Sequence, residues 1–203
     1  MNVLVACEYS QVVTQAFIAA GHNAYSNDIL ETEGDPSKHI QGDCIEAIRP
    51  RKWDLIIIHI PCTAMGVCGN GTYGEGKAKH QERLDAIDFA LKVWGVACEH
   101  SERVSMENPA SVLFPILRSQ RGADIQYVQP YEFGHPEQKK TGFALKGLPR
   151  LTGTDDVYEH MMTLPKHERE RVFYMSPSKD RGKERARFFP GIANAMATQW
   201  GDL

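Results

Sequence analysis

The sequence has no apolar run long enough to cross a bilayer, which takes about 20 consecutive residues in a helix. Its beginning, Met1 to Val5, also lacks the charged and apolar regions of a signal peptide. The five cysteines are odd in number and scattered, which argues against a disulfide framework, and none forms the Cys-x-x-Cys pair of a zinc site. We therefore expect a cytoplasmic protein with reduced thiols, without a membrane segment and without a metal.

The chain likewise has no large excess of one charge and no internal repeat. Its formal net charge of -3 neither favours nor excludes nucleic acid, because an enzyme acting on nucleic acid needs only a local basic face. A length of 203 residues suits one core of ordinary size. We expect a single domain over residues 1–203.

The chain is organised around Leu55 to Ile58, a run of branched apolar residues without polar alternation. Such a run is typical of a strand buried on both faces, as in a parallel sheet covered by helices. Pro61 lacks an amide donor, so regular pairing should end before it. Cys62 therefore follows the carboxyl end of a central strand, where open α/β sheets bind their ligands. Its position alone leaves two interpretations open, a nucleophile or a buried structural cysteine.

Strand-like and helix-like segments alternate at short spacing, which predicts an α/β protein with a Rossmann-like, doubly wound and mostly parallel sheet. A glycine-rich stretch, 66–76, follows Cys62 and is either a binding loop or an irregular surface excursion. Residues 152–187 are polar. The charge run 179–187 within them is either solvated surface or a contact for phosphates.

Polar side chains occur where successive predicted strands end. They are Glu8 and Ser10, then Asp28, Asp43 and Cys62, and finally Glu107 with Asn108. In a nucleotide-binding sheet, an acidic residue about 20 residues past the first loop hydrogen-bonds a ribose hydroxyl, and Asp28 has that position. Asp43 could accept from an adenine amino group. Taken singly, either aspartate is better explained as the cap of a helix or turn; their shared position favours a cofactor site.

The same residues, in the same order, resemble those of the cytosine-C5 DNA methyltransferases, most closely the small phage-type proteins of that family. The resemblance covers nearly the whole chain. It rests on a proline-cysteine after an apolar strand and, one helix later, Glu-Asn-Pro on another strand. Its motifs are Val3 to Glu8, Asp28, Asp43, Pro61-Cys62-Thr63, Glu107-Asn108-Pro109 and Pro190 to Ala193.

The resemblance implies S-adenosylmethionine as the cofactor and DNA as the partner. Cys62 is then the nucleophile, which adds to C6 of cytosine as a thiolate. Glu107 is the partner of cytosine N3 and the exocyclic amine, and Asn108 holds the loop geometry. The target base must leave the duplex stack to reach the thiol. The implied cofactor site consists of Cys7, Glu8, Tyr9, Ser10, Asp28, Ile29, Asp43, Cys44, Pro61 and Asn194.

The chain departs from the family pattern at several places, one of which is Pro109, where the family more commonly has valine. Its first loop, Cys7 to Gln11, contains no glycine, although Ser10 is a candidate cap for the following helix. Ile60 stands where the family has a further proline. The Gln-x-Arg motif that supports the catalytic base is only echoed by Gln138-Lys139-Lys140, in which Lys140 is our candidate cation.

The large variable region with which the family recognises its target is reduced to about residues 152–187. This leaves open RNA, a free pyrimidine nucleotide or a related donor, and also a homodimer or a partner protein that supplies recognition. A catalytically silent binding protein is a further alternative, favoured by the glycine-free first loop. A cysteine hydrolase is less well supported, because no histidine is obviously placed to serve Cys62 and His59 is expected to pack on its strand.

Overall fold

The computed structural model describes residues 1–179 and 181–203, so Asp180 of the predicted variable segment lies outside the described residues. In these ranges seven strands form one sheet. They are β1 (Asn2–Ala6), β2 (Asn23–Asp28), β3 (His39–Gln41), β4 (Leu55–His59), β5 (Val104–Pro109), β6 (Asp124–Val128) and β7 (Thr141–Lys146). Their order is β3-β2-β1-β4-β5-β7-β6.

All neighbouring strands run parallel except β7, which is antiparallel to both β5 and β6. The predicted Rossmann-like, doubly wound and mostly parallel sheet is confirmed. The strand order reverses between β1 and β4, because the chain first builds outward to β3 and then returns to the other side of β1. The loops that follow β1 and β4 therefore border the crevice in which such sheets bind ligands.

Helices cover both faces of the sheet. In the part of the chain that the structure describes they are α1 (Val12–Ala19), α2 (Cys44–Ile48), α3 (Asn70–Tyr73), α4 (His80–His100), α5 (Leu113–Arg121), α6 (Tyr158–Thr163), α7 (Lys166–Arg169), α8 (Arg171–Tyr174), α9 (Arg181–Ala186) and α10 (Pro190–Gly201). The stretch 66–76 is more regular than its glycine content predicts, because it contains a 3-10 turn and α3.

The central strand β4 is buried on both faces because its consecutive side chains contact different helical layers. Ile56 belongs to a core cluster with Trp94 of α4. Ile57 belongs to a second cluster with Phe17 of α1 on the opposite face. This two-sided burial explains the apolar run that the sequence shows between Leu55 and Ile58.

The first loop makes a tight turn although it contains no glycine. Cys7 and Gln11 have φ angles of 60° and 58°, in the left-handed region that favours glycine. The buried Gln11 side chain offsets this strain through hydrogen bonds to two neighbouring segments. Its amide nitrogen donates to Ser26 Oγ at 3.0 Å and to Asp35 O at 2.9 Å, and its oxygen accepts from Asp35 N at 2.7 Å.

The cap of α1 is Glu8 rather than the predicted Ser10. The buried Glu8 carboxylate accepts from Val13 N at 2.6 Å, Thr14 N at 3.1 Å and Thr14 Oγ1 at 2.7 Å. These groups belong to the first turn of α1, where backbone N–H groups have no partner within the helix. The Glu8 side chain is therefore occupied by the fold, which differs from the cofactor contact implied for it.

Replacing Glu8 by Ala should lower the free energy of unfolding by about 3 kcal/mol, because buried donors of Val13 and Thr14 lose their acceptor. Glu8→Gln keeps one acceptor oxygen and should cost about half as much. Urea unfolding measures both. Ser10→Ala is the matched control, expected to stay within about 0.5 kcal/mol of the wild type. Equal losses for the Glu8 and Ser10 variants would contradict this assignment.

Candidate active site

Cys62 and Glu107 meet at one edge of the sheet because β4 and β5 are neighbouring parallel strands. His59 and Glu107 are register partners in this pair, and Cys62 follows within the loop after β4. Glu107 is close enough to Cys62 for its negative charge to raise the pKa of the thiol. Cys62 is an exposed residue, so the alternative of a structural cysteine sealed in the core does not apply.

Asn108 ties the end of β5 to the loop that carries Cys62. Its buried side chain donates from Nδ2 to the carbonyl oxygen of Ile60 at 3.2 Å. Pro61, which follows Ile60, is exposed at the turn. This contact is the one that the predicted loop-holding role of Asn108 requires.

Arg83 anchors the loop after Cys62 to α4 and was missed by the sequence analysis. This buried guanidinium donates to Ala64 O at 2.7 Å, to Asn70 Oδ1 at 2.8 Å and to Gly66 O at 3.3 Å. The sequence does indicate that Arg83 is buried, because it lies at helical spacing from the apolar face that includes Ala90. A charged residue on an apolar face is buried only when it is paired.

The cation at this edge is Lys139, and the structure does not bring Lys140 to it. Lys139 lies close enough to Cys62 to lower the pKa of the thiol, and its Nζ donates to Arg185 O at 2.8 Å. Lys140 is exposed, with its Nζ 4.4 Å from the ring centroid of Tyr127. Neighbouring residues of an extended segment point to opposite sides, so a shift of one position moves the charge away from the site.

Cys62, Glu107 and Lys139 form what we call the strand-end cluster. Although Cys62 is exposed as a residue, neighbouring groups partly shield its thiol from water; this desolvation raises the pKa of Cys62 most, the charge of Glu107 raises it further, and Lys139 opposes both. The pKa of Lys139 is lowered, chiefly because its ammonium is buried. Near neutral pH the thiol is therefore mostly protonated, and the nearby charges decide how much thiolate is present.

Asp28 and Asp43 serve as caps, as the alternative for each had suggested. Asp28 Oδ1 accepts from Leu30 N at 2.9 Å, and Asp43 Oδ1 accepts from Ile45 N at 2.7 Å. Each carboxylate keeps a second oxygen that accepts no hydrogen bond from the residues described. Beside Asp28, the side chain of Ile29 is 74% exposed. This edge thus offers two free acceptors and one exposed apolar side chain.

The remaining residues implied for the cofactor site differ in their surroundings. Cys7 and Cys44 face each other, and their mutual hydrogen bond raises the pKa of Cys7. Tyr9 and Ser10 are half-buried, and their backbone N–H groups have no partner among residues 1–179 and 181–203. Asn194 is exposed on α10, and no hydrogen bond within the described chain joins its side chain to the first loop.

The variable segment reaches over the first loop and the strand-end cluster together. Lys183 Nζ of α9 lies 5.7 Å from the ring centroid of Tyr9, and Arg187 Nη2 lies 2.9 Å from Glu33 Oε2. The same segment receives the hydrogen bond of Lys139 through Arg185 O. Residues 183–187 therefore connect the implied cofactor loop with the cation beside Cys62.

No helix in the two described ranges is long and apolar enough to cross a membrane. Nor do three or more His, Cys, Asp or Glu side chains gather into a possible metal site among the residues whose positions are given.

No protein-family model and no curated protein matches the chain. Its structure is similar to that of a methyltransferase from Entamoeba histolytica, with a TM-score of 0.52 and 12% identity over 77% of this chain and 57% of the other. The S. pombe Dnmt2 methyltransferase has a TM-score of 0.46 and 13% identity, over 88% of this chain and 56% of the other. A proposed DNA modification methyltransferase encoded within an E. coli prophage has a TM-score of 0.41 and 13% identity, over 71% of this chain and 46% of the other. The chain spans about half the length of these proteins, and at such identities the first likeness shows a shared fold.

The strand-end cluster predicts opposite effects of its two charges on the reactivity of Cys62. Glu107→Gln should increase the rate of alkylation by iodoacetamide near neutral pH by roughly threefold to tenfold, because it removes a charge that raises the pKa of the thiol. Lys139→Gln should decrease that rate by a similar factor, because it removes a charge that lowers the pKa. Peptide mass mapping resolves Cys62 from the exposed Cys68, which serves as the internal reference. Changes of equal sign would contradict the cluster.

Proposed function

We propose that the protein transfers the methyl group of S-adenosylmethionine to C5 of cytosine in DNA, through a covalent adduct at Cys62. One observation carries the proposal: a cysteine at the protein surface and a carboxylate come from neighbouring strand ends, with the ammonium of Lys139 close to both. A thiol can add to a pyrimidine ring, and a carboxyl group beside it can donate a proton to the ring nitrogen.

The fold supports methyl transfer in general terms. The Entamoeba protein with which the chain shares its fold is a methyltransferase. The substrate and the covalent step come from the resemblance of the motifs around Cys62 and Glu107 to the cytosine-C5 family. They are our proposal for this chain.

The described residues at the edge of β1, β2 and β3 fit S-adenosylmethionine. Its ribose hydroxyls and adenine amino group are donors, and Asp28 and Asp43 each have a free carboxylate oxygen. The exposed side chain of Ile29 suits one face of the adenine ring. The unpartnered N–H groups of Tyr9 and Ser10 suit a carboxylate. When bound there, the cofactor supplies an electrophilic methyl group on a sulfonium.

Cys62 would make C5 of cytosine nucleophilic. The thiolate forms a bond to C6, and the electron pair of the C5–C6 double bond moves into the ring as N3 receives a proton from Glu107. C5 would then be an enamine carbon, able to accept the methyl group that a bound cofactor supplies. Loss of the C5 proton to a base, with return of the N3 proton to Glu107, would restore the double bond, and Cys62 would leave as thiolate.

Substrate binding would activate the thiol through Glu107. In the free protein the charge of Glu107 raises the pKa of Cys62. If Glu107 takes up a proton from water when the base binds, to donate it to cytosine N3, this charge is removed and the thiolate becomes easier to form. The charge of Lys139 lowers the pKa of Cys62 and so favours the thiolate both before and after a base is bound.

RNA or a free nucleotide remains the second candidate substrate, because the variable segment is small. It consists of short helices, and some of its cations are already paired, such as Arg171 with Glu137 and Arg187 with Glu33. These pairs leave fewer charges for a long duplex, on which phosphate contacts supply most of the affinity.

Incubation with radiolabelled S-adenosylmethionine and duplex DNA, RNA or dCTP tests the function directly. Label should enter cytosine C5 of DNA. Cys62→Ala should reduce incorporation to background, and Glu107→Gln should reduce it by roughly 100-fold to 10,000-fold, the range for lost acid–base assistance.

Cofactor binding by calorimetry should be unchanged in Cys62→Ala, and Cys68→Ala is the matched control with expected full activity. If label entered only RNA or only dCTP, DNA would be ruled out as the substrate and the labelled molecule would take its place. Full activity of Cys62→Ala would remove the mechanism.

A further inference from the structure

His59, the last residue of β4, faces the carboxylate of the strand-end cluster. It is the register partner of Glu107 in the β4–β5 pair. Its Nδ1 lies 3.4 Å from Glu107 Oε2, and the two side chains are 12% and 16% exposed. The position of His59 on a strand predicts only a packing role. A polar contact between two largely buried groups calls for a more specific role.

The other nitrogen of His59 has no comparable contact. Nε2 is buried and without a hydrogen-bond partner among the residues described. One reason is that the ring packs edge-on against Phe188, with centroids 4.9 Å apart and an interplanar angle of 70°. The imidazole is thus enclosed by an apolar ring on one side and by the carboxylate on another.

This asymmetry determines where the proton of a neutral His59 lies. A buried N–H group without an acceptor is costly, so a proton on Nε2 is disfavoured. A proton on Nδ1 has the acceptor Glu107 Oε2 within reach. The hydrogen bond made by one ring nitrogen fixes which tautomer is present, and here it favours an Nδ1–H that donates to Glu107.

We propose that His59 is a positioning residue that holds the Glu107 carboxylate through this Nδ1–H···Oε2 hydrogen bond, so that the other oxygen, Oε1, faces the base. The proposal rests on the function proposed above, because it assigns to Glu107 the role of partner of the pyrimidine. His59 acts through Glu107 and does not touch the substrate, since its free nitrogen is buried.

The charged and titratable groups around this pair come from three segments. Glu107 belongs to β5, Cys62 to the loop after β4, and Lys139 to the loop before β7. Phe188, before α10, contributes an apolar face and no charge. Of these groups, Glu107 is the one that accepts from His59 among the contacts described. A packing role would be filled equally well by a leucine, whereas a positioning role needs the donor at the δ position.

The tautomer of His59 tests the inference without any need for activity. In protein with 15N-labelled histidine, the ring-nitrogen shifts of His59 should show a proton on Nδ1, with the signal assigned by its loss in His59→Asn. Glu107→Ala removes the acceptor and with it the preference for Nδ1, so the share of the Nε2–H tautomer should rise. His39, whose ring contacts Ser26 instead, is the internal reference and should not change. An Nε2–H tautomer in the wild type, or a tautomer indifferent to Glu107→Ala, would overturn the inference.

Two variants of His59 test its consequence for methyl transfer. Asn places a side-chain N–H near the position of Nδ1, whereas Leu fills the space without a donor. His59→Leu should lower kcat by roughly 10-fold to 100-fold, the range for a misplaced group, with KM for the cofactor unchanged. His59→Asn should restore most of this loss. Equal activity of the Leu and Asn variants, at matched thermal stability, would overturn the inference.

The two readouts separate failure of the inference from failure of the proposed function. A protein that methylates no cytosine, but whose His59 tautomer depends on Glu107, would contradict the function and leave the hydrogen bond in place. A protein that methylates cytosine with an unaffected His59→Leu variant would contradict the positioning role alone.

Discussion

The pairing of β4 with β5 is the constraint on which the candidate site depends. Parallel neighbours end at the same edge of the sheet, so the register of His59 with Glu107 brings a thiol from one loop toward a carboxylate from the next strand. The Asn108–Ile60 hydrogen bond fixes that junction. The burial of β4 between two helical layers holds the pair rigid, because core packing leaves little room for a shift of register.

The two charges near Cys62 determine how reactive its thiol is. A thiol beside a carboxylate is a poor nucleophile, because the negative charge raises the pKa of Cys62. Lys139 opposes this only in part, since its own ammonium is largely desolvated. Protonation of Glu107 when a base binds would remove this charge and shift the balance toward thiolate. In the proposed mechanism, this arrangement would keep Cys62 mostly protonated until a substrate binds, which would limit its oxidation.

The sequence predicts the sheet well because strand burial and strand ends follow local patterns. The apolar run before Pro61 and the polar residues at strand ends locate the edge correctly. Local sequence patterns do not predict contacts that depend on the direction in which a side chain points. The cap of α1 comes from Glu8 rather than Ser10, the cation is Lys139 rather than Lys140, and Arg83 reaches a loop from the buried face of α4. Each depends on the path of the backbone between elements, which periodicity does not specify.

The central claim is that Cys62 forms a bond to a cytosine ring. An oligonucleotide containing 5-fluorocytosine tests this most directly, since fluorine cannot leave as a proton does and the adduct persists after methyl transfer. With S-adenosylmethionine present, intact mass and peptide mapping should find the oligonucleotide attached to Cys62, and none attached in Cys62→Ala. Attachment at another cysteine, or turnover of the unmodified cytosine without any adduct on the fluorinated one, would contradict the account.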